Sequence, residues 1–190
     1  MKQLLTASLL FFHFSLLAQV ESRRQFAVEV DPAPYILGGY SVSLKYSPKK
    51  MPKTAFMASV YRSNFPDGML TGENKSKGWT DMKIKTSYAL FAEFYLNEGR
   101  KGFYFGPSVF LYNRNITLAQ TRTSTSFQTI YPNLRAGYIW YPFKKQSFYL
   151  NPWLNIGSEI GLDNKNRVGE TEYTPNRFNY IVALHLGYSF

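Results

Sequence analysis

The sequence predicts an all-β fold, an eight-stranded antiparallel up-and-down transmembrane β-barrel. Three observations carry that expectation. Eight segments alternate apolar and polar residues with a period of two, as strands with two unlike faces do. The links between them are short and long in turn, the layout of a barrel with one plain rim and one elaborate rim. Beyond the first eighteen residues no run is long and apolar enough for a spanning helix. A membrane protein built from the remainder must therefore close its strands, because only helices and closed barrels satisfy every backbone group in hydrocarbon. The composition agrees: sixteen Phe, fifteen Tyr and three Trp accompany only 18% charged residues, and aromatics favour strands and membrane interfaces. The length of 190 residues suits one domain. The absence of cysteine excludes disulfides, a thiol nucleophile and Cys-based metal sites.

Taken in order, residues 1–18 read as a secretory signal peptide and residues 19–190 as the barrel domain. Lys2 precedes an apolar stretch from Leu4 to Leu17, and the small Ala18 closes it, placing cleavage before Gln19. That stretch is short for a membrane anchor and is interrupted by Thr6, Ser8, His13 and Ser15. The net charge of +10 would otherwise suggest nucleic acid, but an exported chain leaves that partner behind.

The first strand is expected at 25–32, with Phe26, Val28 and Val30 opposing Ala27, Glu29 and Asp31. The second, 39–47, sets Tyr40, Val42, Leu44 and Tyr46 against Ser41, Ser43 and Lys45; the third is 54–63. In the fourth, Ile84, Thr86, Tyr88, Leu90, Ala92 and Phe94 face away from Lys83, Lys85, Ser87, Phe91 and Glu93. Segments 103–112, 130–140, 148–157 and 178–190 complete the set. Pro107, Pro132 and Pro152 each remove a ladder donor, so they are expected at bulges or strand ends. Segments 47–53, 97–102 and 142–146 read as short turns, and 64–79, 113–127 and 160–175 as long polar loops. The link 32–38 is short but belongs with the long set by its place in the order.

A soluble barrel with an apolar interior has the same periodicity. The minor face separates the two. With the apolar side turned to lipid, the lumen would gather a polar network of Glu29, Lys45, Lys83, Lys85, Glu93, Arg135, Glu159 and His185, with Asn133, Asn151 and Asn155. Its three acids and four permanent bases can pair there. One Lys or Arg at mid-depth on the lipid face would cost about 2–4 kcal/mol.

The terminal strand runs Phe178, Tyr180, Val182, Leu184, Leu186, Tyr188 and Phe190 at every second position. With the exported start and eight alternating segments, this ending resembles the small outer-membrane β-barrels of Gram-negative bacteria, of OmpA/OmpX-like shape. The resemblance implies residence in the outer membrane, with lipid and lipopolysaccharide as surroundings. It also implies that Leu184, Leu186, Tyr188 and Phe190 form the signal read by the outer-membrane assembly machinery. Many such barrels have no assigned activity, and a non-enzymatic structural or surface-interaction role is the expectation.

The search for chemistry yields little. His185 is the one histidine after residue 18, and its neighbours Leu184 and Leu186 supply no hydroxyl nucleophile. The alternative of a lipid A-modifying enzyme therefore lacks partners, and an ordinary lumen histidine is expected. No spacing suggests a metal or cofactor. Lys75, Lys77, Arg114, Arg122, Lys165, Arg167 and Arg177 fall in the long loops, as solvated charges or as contacts for lipopolysaccharide phosphates. Any extracellular ligand is unspecified by these residues.

Overall fold

The computed structural model describes residues 25–143 and 147–190. The signal peptide assigned to 1–18, and Lys144 and Lys145 of the turn 142–146, lie outside them.

Eight strands of five to seventeen residues close on themselves: β1 (Phe26–Val30), β2 (Tyr40–Tyr46), β3 (Thr54–Asn64), β4 (Trp79–Tyr95), β5 (Gly102–Leu118), β6 (Thr123–Ile139), β7 (Phe148–Gly157) and, after three two-residue strands, β11 (Asn179–Ser189). Each pairs antiparallel with its neighbours, and β1 closes the ring against β11 through Ala27↔Ser189 to Val30↔Leu186. The fold is a closed eight-stranded all-antiparallel barrel. β8 (Ile160–Gly161) continues β7 past an irregularity and pairs with Ile130 and Thr129 of β6. β9 (Arg167–Val168) and β10 (Thr171–Glu172) form a small hairpin of their own. No helix among the described residues is long and apolar enough to cross a membrane.

Three sequence-based boundaries change. The expected loop 113–127 is strand: β5 and β6 run 17 residues each and turn only between Leu118 and Thr123. Tyr112, Arg114, Ile116 and Leu118 keep the inward phase, but the outward Asn113, Asn115 and Thr117 are polar, so the segment reads as loop. Second, 32–38 holds the helix α1 (Pro32–Ile36), whose first turn Asp31 caps by accepting from the Ala33 N–H at 3.0 Å. A further single-turn helix, α2 (Gly72–Ser76), lies in the link before β4. Third, Pro107, Pro132 and Pro152 sit inside β5, β6 and β7 rather than at their ends, all on the outer face. The consequence is visible at Pro152: the β6–β7 ladder stops at Gly137↔Trp153 and resumes only as an isolated bridge, Trp140↔Leu150.

Buried side chains form three clusters. Ala27, Ala55, Tyr95, Tyr104, Ile139 and Tyr149 pack near the short turns. Met57, Phe91, Phe110, Tyr131 and Trp153 occupy the middle. Leu70, Trp79, Met82, Ile116, Phe127 and Tyr173 pack at the loop end. Two glycines make the first cluster possible. Gly137 lies opposite Tyr104 and Gly187 opposite Tyr149, and a Cβ on either would fall 2.5 Å or 2.2 Å from the tyrosine Cζ. Each ring lies over a strand that has no side chain to exclude it.

Candidate functional site

The alternation places the charges. Glu29 on β1, Lys45 on β2, Glu93 on β4, Arg135 on β6 and His185 on β11 all point inward, and Glu29 and Lys45 are 0% and 4% exposed. Lys45 Nζ bridges two carboxylates, at 2.5 Å from Glu29 Oε1 and 2.8 Å from Glu93 Oε2. Glu29 also accepts from Tyr149 (2.7 Å) and Asn151 (3.1 Å) and meets His185 Nδ1 at 2.8 Å. Tyr95 donates to Glu93 at 2.5 Å. Arg135 stands 3.7 Å from Glu93, with its guanidinium stacked between the rings of Trp153 (4.4 Å) and Phe91 (4.6 Å). Toward the loop end, Arg114 Nη2 holds Glu159 Oε1 at 2.7 Å, and Thr129 donates to the same oxygen at 2.5 Å.

Of the residues expected in the lumen network, Glu29, Lys45, Glu93, Arg135, Glu159 and His185 are thus buried inside the barrel. Lys83 and Lys85 are not. β4 shifts register between Thr80 and Lys83 and again between Ile84 and Tyr88, and β3 shifts between Tyr61 and Ser63. A slip of one residue turns a strand over. Met82 and Ile84 therefore point inward, Lys83 pairs with Asp81 outside at 3.0 Å, and exposed Lys85 contacts Ser126 Oγ at 3.2 Å.

Arg114 is corrected in the opposite sense, from a loop cation to a buried partner of Glu159. Its two-residue phase with Tyr112 and Ile116 was the signal that could have found it. Tyr95, Tyr104, Tyr131 and Tyr149 also carry interior hydrogen bonds that the sequence reading did not assign. His185 contacts Glu29 and lies edge-on to Trp153 at 5.3 Å. Leu184, Leu186 and Tyr188 occupy the outer face, while Phe190 exchanges backbone hydrogen bonds with Phe26 and stacks on its ring at 6.4 Å.

The outer wall is the reverse of the inner one. Phe26, Leu44, Phe56, Leu90, Phe105, Leu134, Leu154, Val182 and Leu184 are exposed, Leu90 by 61% and Val182 by 70%. On β4–β6 this apolar surface ends abruptly. Tyr88, Leu111, Ile130 and Ile160 are cross-strand neighbours in one apolar row. Beyond it come Asn113 and Gln128, then Lys83, Asn115 and Ser126, then Thr117 and Ser124, with exposed Lys85 in the β4 bulge beside them.

No protein-family model and no curated protein matches the chain. Solved structures do. The chain is similar to the N-terminal β-barrel domain of Pseudomonas aeruginosa OprF, with 16% identity and a TM-score of 0.52, over 88% of this chain and 98% of that one. It is also similar to Acinetobacter baumannii CarO, with 11% identity and a TM-score of 0.43, over 87% and 97% of the two chains. The likeness to the OprF domain is one of fold: both chains are β-barrels, and this one closes through eight antiparallel strands.

Proposed function

We propose that this protein is an integral outer-membrane barrel without enzymatic activity. Its interior is filled by its own side chains, and its long-strand rim is presented outside the cell. The observation that carries the reading is the inversion of the two faces: ion pairs within, bare aliphatic and aromatic side chains without. A secreted soluble barrel would turn its apolar side chains inward and wet its charges. A wall of this kind is stable only against acyl chains, since monomeric soluble proteins rarely expose so large a contiguous apolar surface. The short turns then face the periplasm, and Leu184, Leu186, Tyr188 and Phe190 serve as the strand presented to the assembly machinery during insertion.

Bridged ions and rings such as Tyr104, Tyr131 and Trp153 within an eight-stranded cylinder leave little room for free diffusion. The role is therefore structural or one of surface contact rather than that of a general porin. Outer-membrane fractionation with a heat-modifiable shift on unboiled gels tests the placement, and planar-bilayer recording tests the filled lumen. The expected results are membrane retention with a shift, and no large steady conductance. A protein recovered in the soluble fraction would overturn the placement, and a persistent open channel would overturn the lumen.

A further inference from the structure

The exposed strip above the apolar wall of β4–β6 is an ordered surface. Its outward side chains stand in cross-strand rows and are already hydrogen-bonded to one another. Thr117 and Ser124 hydroxyls meet at 2.9 Å, Asn115 Nδ2 donates to Ser126 Oγ at 3.0 Å, and Gln128 Nε2 donates to Asn113 Oδ1 at 2.7 Å. These bonds fix the rotamers of long polar side chains that would otherwise lose entropy on binding. The two ammonium groups of Lys83 and Lys85 border this amide and hydroxyl lattice. Two acids border it: Asp81 holds Lys83 at 3.0 Å, and Asp163 accepts from the Gln128 backbone N–H at 3.4 Å.

Height is the second consideration. Successive outward residues on a strand lie about 7 Å apart, so Lys83, opposite Asn115, stands two rows above the apolar row of Tyr88, Leu111 and Ile130, and Lys85, in the bulge between, reaches the same level through Ser126. That is the level at which acyl chains give way to headgroups. A phospholipid offers a phosphate there but few hydroxyls. A phosphorylated glycolipid offers phosphates to the ammonium groups and a plane of sugar hydroxyls to the amides.

We propose that the outer strip of Lys83, Lys85, Asn113, Asn115, Ser126 and Gln128 docks the headgroup of a phosphorylated glycolipid of the surrounding leaflet. The proposal rests on the membrane placement argued above and adds to it a lipid class and a binding face. The lysines engage phosphate; the amide and hydroxyl rows engage the saccharide.

The test uses the full chain reconstituted in nanodiscs of zwitterionic phospholipid doped with a bisphosphorylated lipid A-type glycolipid or, separately, with phosphatidylglycerol. Lipid retained per barrel is read by mass spectrometry. Wild type should enrich the glycolipid over phosphatidylglycerol. K83E/K85E should lower that enrichment by about tenfold or more, from the attraction of roughly 1 kcal/mol per surface lysine. K49E/K50E, the same charge change at the opposite rim, should leave it unaltered. K83Q/K85Q should give an intermediate loss and guards against a folding defect in the charge-reversed variant. Equal enrichment of the two lipids by wild type, or unchanged glycolipid retention in both lysine variants, overturns the docking face while the heat-modifiable shift still upholds the barrel. A wild-type chain that shows no shift and does not enter nanodiscs overturns the membrane placement, and the docking face with it.

Discussion

The lower half of the barrel, around Glu29, Lys45 and Glu93, and the upper part built by the extensions of β4, β5 and β6 are made by the same alternation. They differ in their outer residues, and β4 changes phase where they join, at the register shift between Ile84 and Tyr88. Inside, both parts bury aromatic rings and a bonded ion pair. Outside, Leu44, Leu90 and Phe105 are replaced within a few rows by Lys85, Asn115 and Ser126. The interior is thus one continuous packed column, while the exterior changes from apolar to polar side chains. Strand length supports this division. Seventeen residues make about 58 Å of strand, or roughly 44 Å of height at a tilt near 40°, well above an apolar band of about 25 Å.

Breaking the interior should give the largest effects, and on a similar scale in both parts. Lys45→Met leaves Glu29 and Glu93 facing each other without their shared cation, and Arg114→Met strands Glu159. Each should lower unfolding stability by about 3–5 kcal/mol, the usual result of orphaning one member of a buried pair. Urea titration of the micelle-folded barrel measures both. A loss confined to Lys45→Met would mean that the upper interior is wet and that the single-column description is wrong.

The exterior should distinguish the two parts sharply. Leu90→Arg puts a cation on the apolar wall and should cost about 2–4 kcal/mol, whereas Ser126→Arg in the polar rows should change stability by no more than about 0.5 kcal/mol. Equal penalties in lipid vesicles would erase the boundary drawn at Tyr88, Leu111 and Ile130. A packing substitution comes next. Gly187→Val drives a side chain into the Tyr149 ring and should destabilise by about 1–3 kcal/mol, with Tyr149→Ala in the same chain restoring part of the loss of fit. No such coupling is expected between Gly187→Val and changes at the rim.

This contrast also explains how far the sequence could be read. Segments whose two faces differ in polarity, such as Tyr40–Tyr46 and the Val182–Tyr188 run, announce strand and phase together, and the charges on the minor face then choose the inward side. The barrel followed from them, and so did the inward phase of Glu29, Lys45, Glu93, Arg135 and His185, whereas the buried Glu159 lies outside every expected strand. Where both faces carry polar residues the period fades, and 113–127 reads as loop although Arg114, Ile116 and Phe127 keep their inward phase. β4 fails for another reason. Its bulges are set by pairing with β3 and β5, and nothing local in Met82-Lys83-Ile84-Lys85 says that the phase flips. The three internal prolines mislead similarly, because a strand closed on both sides was expected to exclude them.

The smallest expected effect lies in the link before β4, where α2 is tied to the segment leading into β11. Asn74 and Thr174 exchange two hydrogen bonds, at 2.8 and 2.9 Å, that do not depend on pH. Glu73 adds a pair that does: its Oε1 accepts from Lys77 Nζ and from Thr174 Oγ1, each at 2.7 Å. These two bonds, Lys77 foremost, hold the Glu73 carboxyl below the ordinary carboxylate range. A depressed value in the folded state means that the contact contributes at neutral pH and is lost as the pH falls through the folded-state value. Carboxyl-carbon NMR should show Glu73 titrating lower than a solvated glutamate, and Lys77→Ala should move it upward. Acidification should loosen the Thr174 hydroxyl while the Asn74 bonds persist, so α2 stays docked. Release of α2 by acid alone would mean that the charged pair, not Asn74, fastens this rim, and that the upper region depends on surface electrostatics in a way the buried column beneath it does not.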